Sequence, residues 1–480
     1  MIHWKPLRPI LFGCAMLLVV GIAAGVALNA VPNSDAPPVG SSDPNAAPVA
    51  ANGGPNDHTM FGGTPSRNMV NLVAKDVPGK FDPDKDAIWK AELGSQSYGG
   101  PIVAGGKVFV GTNNERPRNK RDISKNADGD EEPIDRGILM CFDEKTGKFL
   151  WQAVFPKLPS GQVHDWPKEG LCSTPVVEGE RIYFVSNRCA VVCADVNGRL
   201  NGVQGHPIRG TDPKTNKPID FDGPTDADIL WEYDMMRELN VSPHNLAVCC
   251  PVIVGDIIYI VTANGVDEGH FNIPSPEAPS FIALDKNTGK LIWKKNYPGR
   301  NIMHGQWSNP TYAEIAGVRQ IIFPGGDGWL YGLVPETGEI IWKFDCNPKN
   351  AVYELGGSGT KSDFIATPVV YDNKVYIAVG QDPEHTTGIG RIWCISPTKQ
   401  GDISDEVVAG EKKNAEGKIE VTGKPNPNSC KVWSYGGEEK RPFAIRDFAF
   451  GRTMSTACIV DDILYLGELP GYVHCLNAKT

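Results

Sequence analysis

The sequence predicts an all-β fold, a β-propeller of four-stranded antiparallel blades, and three observations predict it. A Thr-Gly pair with Trp four residues past the Gly occurs in DEKTGKFLW (143–151), DKNTGKLIW (285–293) and PETGEIIW (335–342). Six apolar segments open on two small residues, usually followed by Pro, and each leads into a second segment rich in β-branched and aromatic residues. Finally, 53 Gly and 39 Pro among 480 residues favour many turns over long helices. Internal repetition of this kind overrides length as a guide to domain number, because repeat folds grow without adding separate cores.

The elements follow in order. Residues 1–30 carry Lys5 and Arg8 ahead of an uncharged apolar run, Ile10–Leu28, of bilayer-spanning length, which reads as a signal sequence or a signal-anchor helix. Residues 31–57 hold too little apolar matter to pack and read as a flexible Pro/Ala/Asn-rich linker. The propeller domain is expected over 58–480. Near its start, DAIWKAELG (86–94) reads as a lone fourth strand carrying Trp89.

First strands are expected at GGPIV (99–103), STPVV (173–177), CCPVI (249–253), SNPTY (308–312), ATPVV (366–370) and STACI (455–459). Third strands end in LMCFDE, VVCADV, FIALDK, LYGLVP, IWCISP and VHCLNA, and fourth strands carry Trp151, Trp231, Trp293, Trp342 and Trp433. A single blade cannot bury both faces, so such units stack radially and remove the edge problem by closure. The chain stops at Thr480 inside its sixth unit; seven or eight blades are expected when complete, with the end of the sixth and the inner strands of a closing blade expected beyond Thr480.

At this point the sequence resembles the pyrroloquinoline quinone (PQQ)-like β-propeller repeat family. That family's hallmark is an Ala-x-Asp-x-x-Thr-Gly-x3-Trp turn, which ALDKNTGKLIW (283–293) matches in full; MFGGTPSRNMVN (60–71) is similar to the lead-in of its bacterial envelope members. The resemblance implies the fold for residues 86–480. It leaves function open, since the family includes quinoprotein dehydrogenases and non-catalytic scaffolds.

Cys141, Cys193, Cys394 and Cys475 share one small-residue slot of the third strand, which Ala283 and Gly332 fill elsewhere. Equivalent slots of neighbouring blades lie about 10 Å apart, beyond disulfide reach, so these read as buried small hydrophobes. Cys249 and Cys250 read two ways. They fill small positions that other blades fill with Ser-Thr, Ser-Asn or Ala-Thr; the resemblance implies instead a vicinal disulfide stacked on PQQ, with Trp307 as a second stacking surface.

The loops before each first strand and those joining second to third strands open on one face. They bring His244, His304 and Trp307 toward GVDEGH (265–270) and GQDPEH (380–385). His244, Asp267, His270, His304, Asp382 and His385 are therefore candidate metal ligands, a mixed set suited to a transition metal. The alternative is that Asp and Gly shape the turns while the histidines bond loop backbone. A net charge of −10 and the self-balanced run RPRNKR…DGDEE (116–132) exclude a nucleic-acid partner.

Two functions are expected from this. One is an exported, membrane-tethered binding or scaffold module without catalysis, taking a protein partner or small ligand on the channel face, in the periplasm or cell envelope and anchored to the inner membrane. The other is a PQQ- and calcium-dependent oxidoreductase acting on an alcohol or sugar, with Asp382 as candidate base.

Overall fold

The computed structural model describes residues 57–75, 77–212, 215–354, 359–380, 388–437 and 448–480. The apolar run and most of the linker fall outside these, as do Asp382 and His385. Among the described residues no helix is long and apolar enough to cross a membrane.

Among the described residues, six blade sheets follow in the expected order: four are four-stranded and antiparallel, the fourth in the chain has a fifth, parallel strand, and the last has three strands. The first blade comprises Ile102–Ala104, Lys107–Asn113, Arg136–Asp143 and Phe149–Pro156. The sixth comprises Cys458–Val460, Ile463–Gly467 and Val473–Asn477. The longest described α-helical stretch is Met235–Leu239, as the turn-rich composition implies.

A cross-strand triple repeats through the blades and explains the small slot. Phe109, Cys141 and Trp151 face one another across three strands, as do Tyr183, Cys193 and Trp231, then Tyr259, Ala283 and Trp293, then Tyr376, Cys394 and Trp433. The aromatic pairs meet over the small residue with centroids 6.0–6.1 Å apart. A larger side chain there would push the rings apart. At Gly332 even a Cβ would run into the Trp342 ring. The slot cysteines are free thiols, and burial pushes Cys141, Cys193 and Cys394 up to about 12, so these three are not nucleophiles at neutral pH; Cys475, expected to be buried, is instead exposed on the outermost described strand of blade six.

The Thr-Gly turn couples blade to blade. Asp285 Oδ1 accepts from both the amide (2.8 Å) and hydroxyl (2.7 Å) of Thr288, which folds the chain back and places Gly289 at φ 70°. Trp231 of the preceding blade lies on that glycine: a Cβ would meet its ring at 2.6 Å, and its Nε1 donates to Lys286 O at 3.0 Å. Trp293 docks likewise on Gly338 and Pro335 O. Trp89 docks on Gly147 and Glu144 O, although residues 86–94 form no strand, having no neighbouring strand to bond among the described residues.

The long insertions of blades two and five cover the edges of the preceding blades. Gln152 on the outer strand of blade one exchanges backbone hydrogen bonds with Thr225 and Ala227, and Gly401–Asp402 adds a parallel fifth strand beside Trp342. Both edges are thereby capped against pairing with another chain. Trp151 and Trp342, beneath these covers, are fully buried. Trp342 breaks the docking rule, donating to Gln320 Oε1 of its own blade at 2.6 Å.

The lead-in threads along the inner strands and touches every blade. His58 pairs with Val103, the carbonyl of Thr59 accepts from Val177, that of Pro65 from Tyr312 and that of Ser66 from Val370. Asn68 makes two 2.8 Å hydrogen bonds with Ile459 of blade six. Arg67 reaches blades three and four. Fully buried, it donates to Cys250 O (2.8 Å), Pro251 O (2.9 Å), Pro310 O (3.0 Å) and, within the lead-in, Phe61 O (2.9 Å). Burial without a carboxylate partner lowers its guanidinium to about 10.

Candidate functional site

Three histidines from three loops converge. His244 comes from the loop before the first strand of blade three, His270 from the loop joining that blade's second and third strands, and His304 from the loop before blade four. Their Nε2 atoms form a triangle with edges of 2.7 Å (His244 to His304), 3.1 Å (His244 to His270) and 3.1 Å (His270 to His304). His244 and His304 are buried; His270 is half-buried and opens the cluster toward solvent.

Backbone contacts hold the loops in that arrangement. Val266 N donates to His304 O at 2.9 Å, and His244 N donates to Ala263 O at 3.2 Å. Gln306 Nε2 donates to Asn264 O at 2.8 Å, while Gly326 N donates to Gln306 Oε1 at 3.3 Å, bringing in the GGDG loop of blade four. Only glycine fits at 265, where a Cβ would lie 2.6 Å from His304 O and 2.7 Å from His244 Cβ. His270 itself takes φ 58°, a conformation L side chains other than Asn and Asp seldom adopt.

The His244 ring is oriented by its other nitrogen. Nδ1 lies 2.8 Å from Val266 O, so Nδ1 carries the proton and Nε2 presents its lone pair to the triangle. Trp307 walls the cluster, with centroids 4.9 Å from His304 and 6.1 Å from His244, and its Nε1 donates to His244 O at 3.2 Å.

Asp267 stands apart from this triangle. Its carboxylate accepts from Phe271 N (2.9 Å) and Asn272 Nδ2 (2.8 Å), bonds that hold it below the usual carboxylate range and shape the loop carrying His270. The structure thus brings His244, His270, His304 and Trp307 together, leaves Asp267 to build the turn, and does not describe Asp382 or His385.

Cys249 and Cys250 are both free and buried, with 1% and 6% of their surfaces exposed. Their sulfurs face different segments: Cys249 Sγ accepts from Val261 N of its own blade's second strand and Cys250 Sγ from Thr174 N, ahead of the first strand of blade two, each at 3.3 Å. Cys250 N donates to Asn309 Oδ1 at 2.6 Å, and its carbonyl holds Arg67. Burial pushes Cys249 up to about 12 and raises Cys250.

Sequence reasoning missed Arg67. The signal was a lone Arg in a Gly- and Pro-rich lead-in, which charge patterning alone does not distinguish from a surface residue. It also passed over Trp166 and Phe271, aromatics of the same loop face that are 41% and 66% exposed.

Residues 222–425 match the profile of a family described as outer membrane protein assembly factor BamB. The 1-butanol dehydrogenase (quinone) of Thauera butanivorans is 26% identical over 127 residues, 24% of this chain and 17% of that protein. The quinoprotein ethanol dehydrogenase of Pseudomonas aeruginosa is 27% identical with the same coverage, so the matched stretch spans under a fifth of either relative. Among solved structures, the quinohemoprotein alcohol dehydrogenase of Comamonas testosteroni aligns over 91% of this chain and 73% of its own, at 12% identity and a TM-score of 0.46. BamB of Moraxella catarrhalis aligns over 75% and 86%, at 16% identity and a TM-score of 0.34.

Proposed function

Because the chain belongs to the PQQ-like β-propeller repeat family, we propose that it is an exported binding or scaffold module, tethered to the inner membrane by residues 1–30, that takes a protein partner or small ligand on its loop face without catalysis. The observation that carries this reading is a pair of exposed aromatics on preorganised loops. Trp166 is fixed by the hydrogen bond its amide donates to Asn245 O at 2.7 Å, and Phe271 by the one its amide donates to Asp267 Oδ1. Aromatic anchors on loops already ordered lose little entropy on binding and are the side chains that dominate interface energies.

The second reading, a PQQ- and calcium-dependent oxidoreductase, is favoured by the short matches to quinone-linked dehydrogenases. The residues described here fit that cofactor poorly. The cysteine pair offers almost no exposed face to a stacked ring, and the two sulfurs accept from amides of different blades. The nitrogen donors beside Trp307 do not suit calcium, which takes oxygen ligands.

A PQQ titration with calcium on the full chain, followed by tryptophan quenching and dye reduction, separates the two readings. The binding reading expects no saturable response. Saturation that disappears in the Cys249→Ser/Cys250→Ser double variant would make the protein a dehydrogenase. For the binding role itself, a photo-crosslinker replacing Phe271 in the native envelope is expected to trap one defined species, whereas one replacing Val408 on the exposed hairpin Glu406–Pro425 is not.

A further inference from the structure

We propose that His244, His270 and His304 bind one divalent transition-metal ion through their Nε2 atoms. The inference stands apart from the binding reading, since metal affinity is read on the isolated protein.

The geometry carries it. Three ring nitrogens within 2.7–3.1 Å of one another form a closed triangle. A cation about 2.1 Å from each nitrogen, the usual metal–imidazole distance, satisfies all three from just off the triangle's plane. Imidazole suits zinc, copper, nickel and iron, and an all-nitrogen donor set disfavours calcium and magnesium.

The surroundings agree with that assignment. His244 is turned by the Nδ1 contact to Val266 O, the orientation that metal-ligating histidines almost always receive from a carbonyl or carboxylate. The close approach of loops at Gly265 and the left-handed backbone of His270 both serve to bring these rings to one point. Strain of this kind persists only where the surrounding structure enforces it. Half-burial of His270 provides the route in.

The test uses the full chain, stripped with a chelator and titrated with Cu2+ under electron paramagnetic resonance and with Zn2+ in competition. Wild type is expected to bind one equivalent with nitrogen hyperfine structure from imidazole. His270→Ala and His304→Gln are each expected to weaken binding at least ~100-fold, since losing even an outer-shell partner costs 10–100-fold. Cys475→Ser, at an exposed thiol, is expected to change nothing. Each variant's metal-free unfolding midpoint shows whether it folds, and the wild-type hyperfine pattern needs no variant. Equal affinity in the histidine variants would place the metal elsewhere. Absence of saturable binding to wild type would leave the trio as a proton-sharing cluster. Either result overturns the proposal.

Discussion

Replacing Arg67 with Ala should unlock the blades from the lead-in that links them. The guanidinium makes four hydrogen bonds of 2.8–3.0 Å, three of them to carbonyls of blades three and four. A hydrogen bond to a charged donor contributes about 1.5–3 kcal/mol net, so the gross loss is near 8 kcal/mol. Part is recovered, because a buried cation with only carbonyl partners carries a desolvation cost of several kcal/mol and each freed carbonyl keeps a second lone pair. The expected destabilisation is therefore about 3–5 kcal/mol. In urea, with a slope near 3 kcal/mol/M for a large domain, the midpoint should fall by roughly 1–1.7 M. Hydrogen exchange gives a local reading: the amides of Tyr312 and Val370, which bond Pro65 and Ser66 carbonyls, should lose protection before those of the blade interiors. Arg67→Lys should recover less than half, since one ammonium cannot span four acceptors. A loss below ~1 kcal/mol for Ala, or unchanged protection at Tyr312 and Val370, would refute the view that the lead-in is a structural tie.

Gly289→Ala combines a left-handed backbone with a Cβ 2.6 Å from the Trp231 ring and should cost about 2–4 kcal/mol. Gly179→Ala, at φ 59° with nothing within 4 Å, should cost only about 1, and equal thermal shifts for the two would exclude Trp docking as the cause. Asp327, buried under Tyr331 and accepting its hydroxyl at 2.6 Å, is raised by burial to about 6. Between pH ~4 and ~6 the folded chain therefore holds a proton that the unfolded chain has lost, so stability should fall as pH rises through that window, by up to ~3 kcal/mol from this group. Asp327→Asn should flatten that slope in denaturation curves taken across pH 4–7; an unchanged slope would assign the titration to other carboxylates.

Local chemistry made the blades legible. The Asp-x-x-Thr-Gly turn closes through contacts within four residues, the Trp that follows is set by strand spacing, and the small slot of Cys141, Cys193, Ala283 and Cys394 follows from aromatics on both flanking strands, that of Gly332 from Trp342 alone. These patterns repeat because each blade solves the same packing problem, and repetition is visible in a single sequence. Grouping of His244, His270 and His304 on one face was legible for the same reason, since the repeat assigns each loop to an end of its blade.

What the repeat does not encode, only the tertiary structure decided. That the three imidazoles meet within 3.1 Å, while Asp267 of the same loop turns inward to its own backbone, depends on loop conformations stitched by contacts up to 60 residues apart. The opposed sulfurs of Cys249 and Cys250, the insertions that cover the outer edges of blades one and four, and the position of Arg67 are of the same kind. Each joins segments tens to hundreds of residues apart through backbone groups that every residue carries. Residue identity therefore marks the blades, and the chain's path through space chooses which blades and loops are tied together.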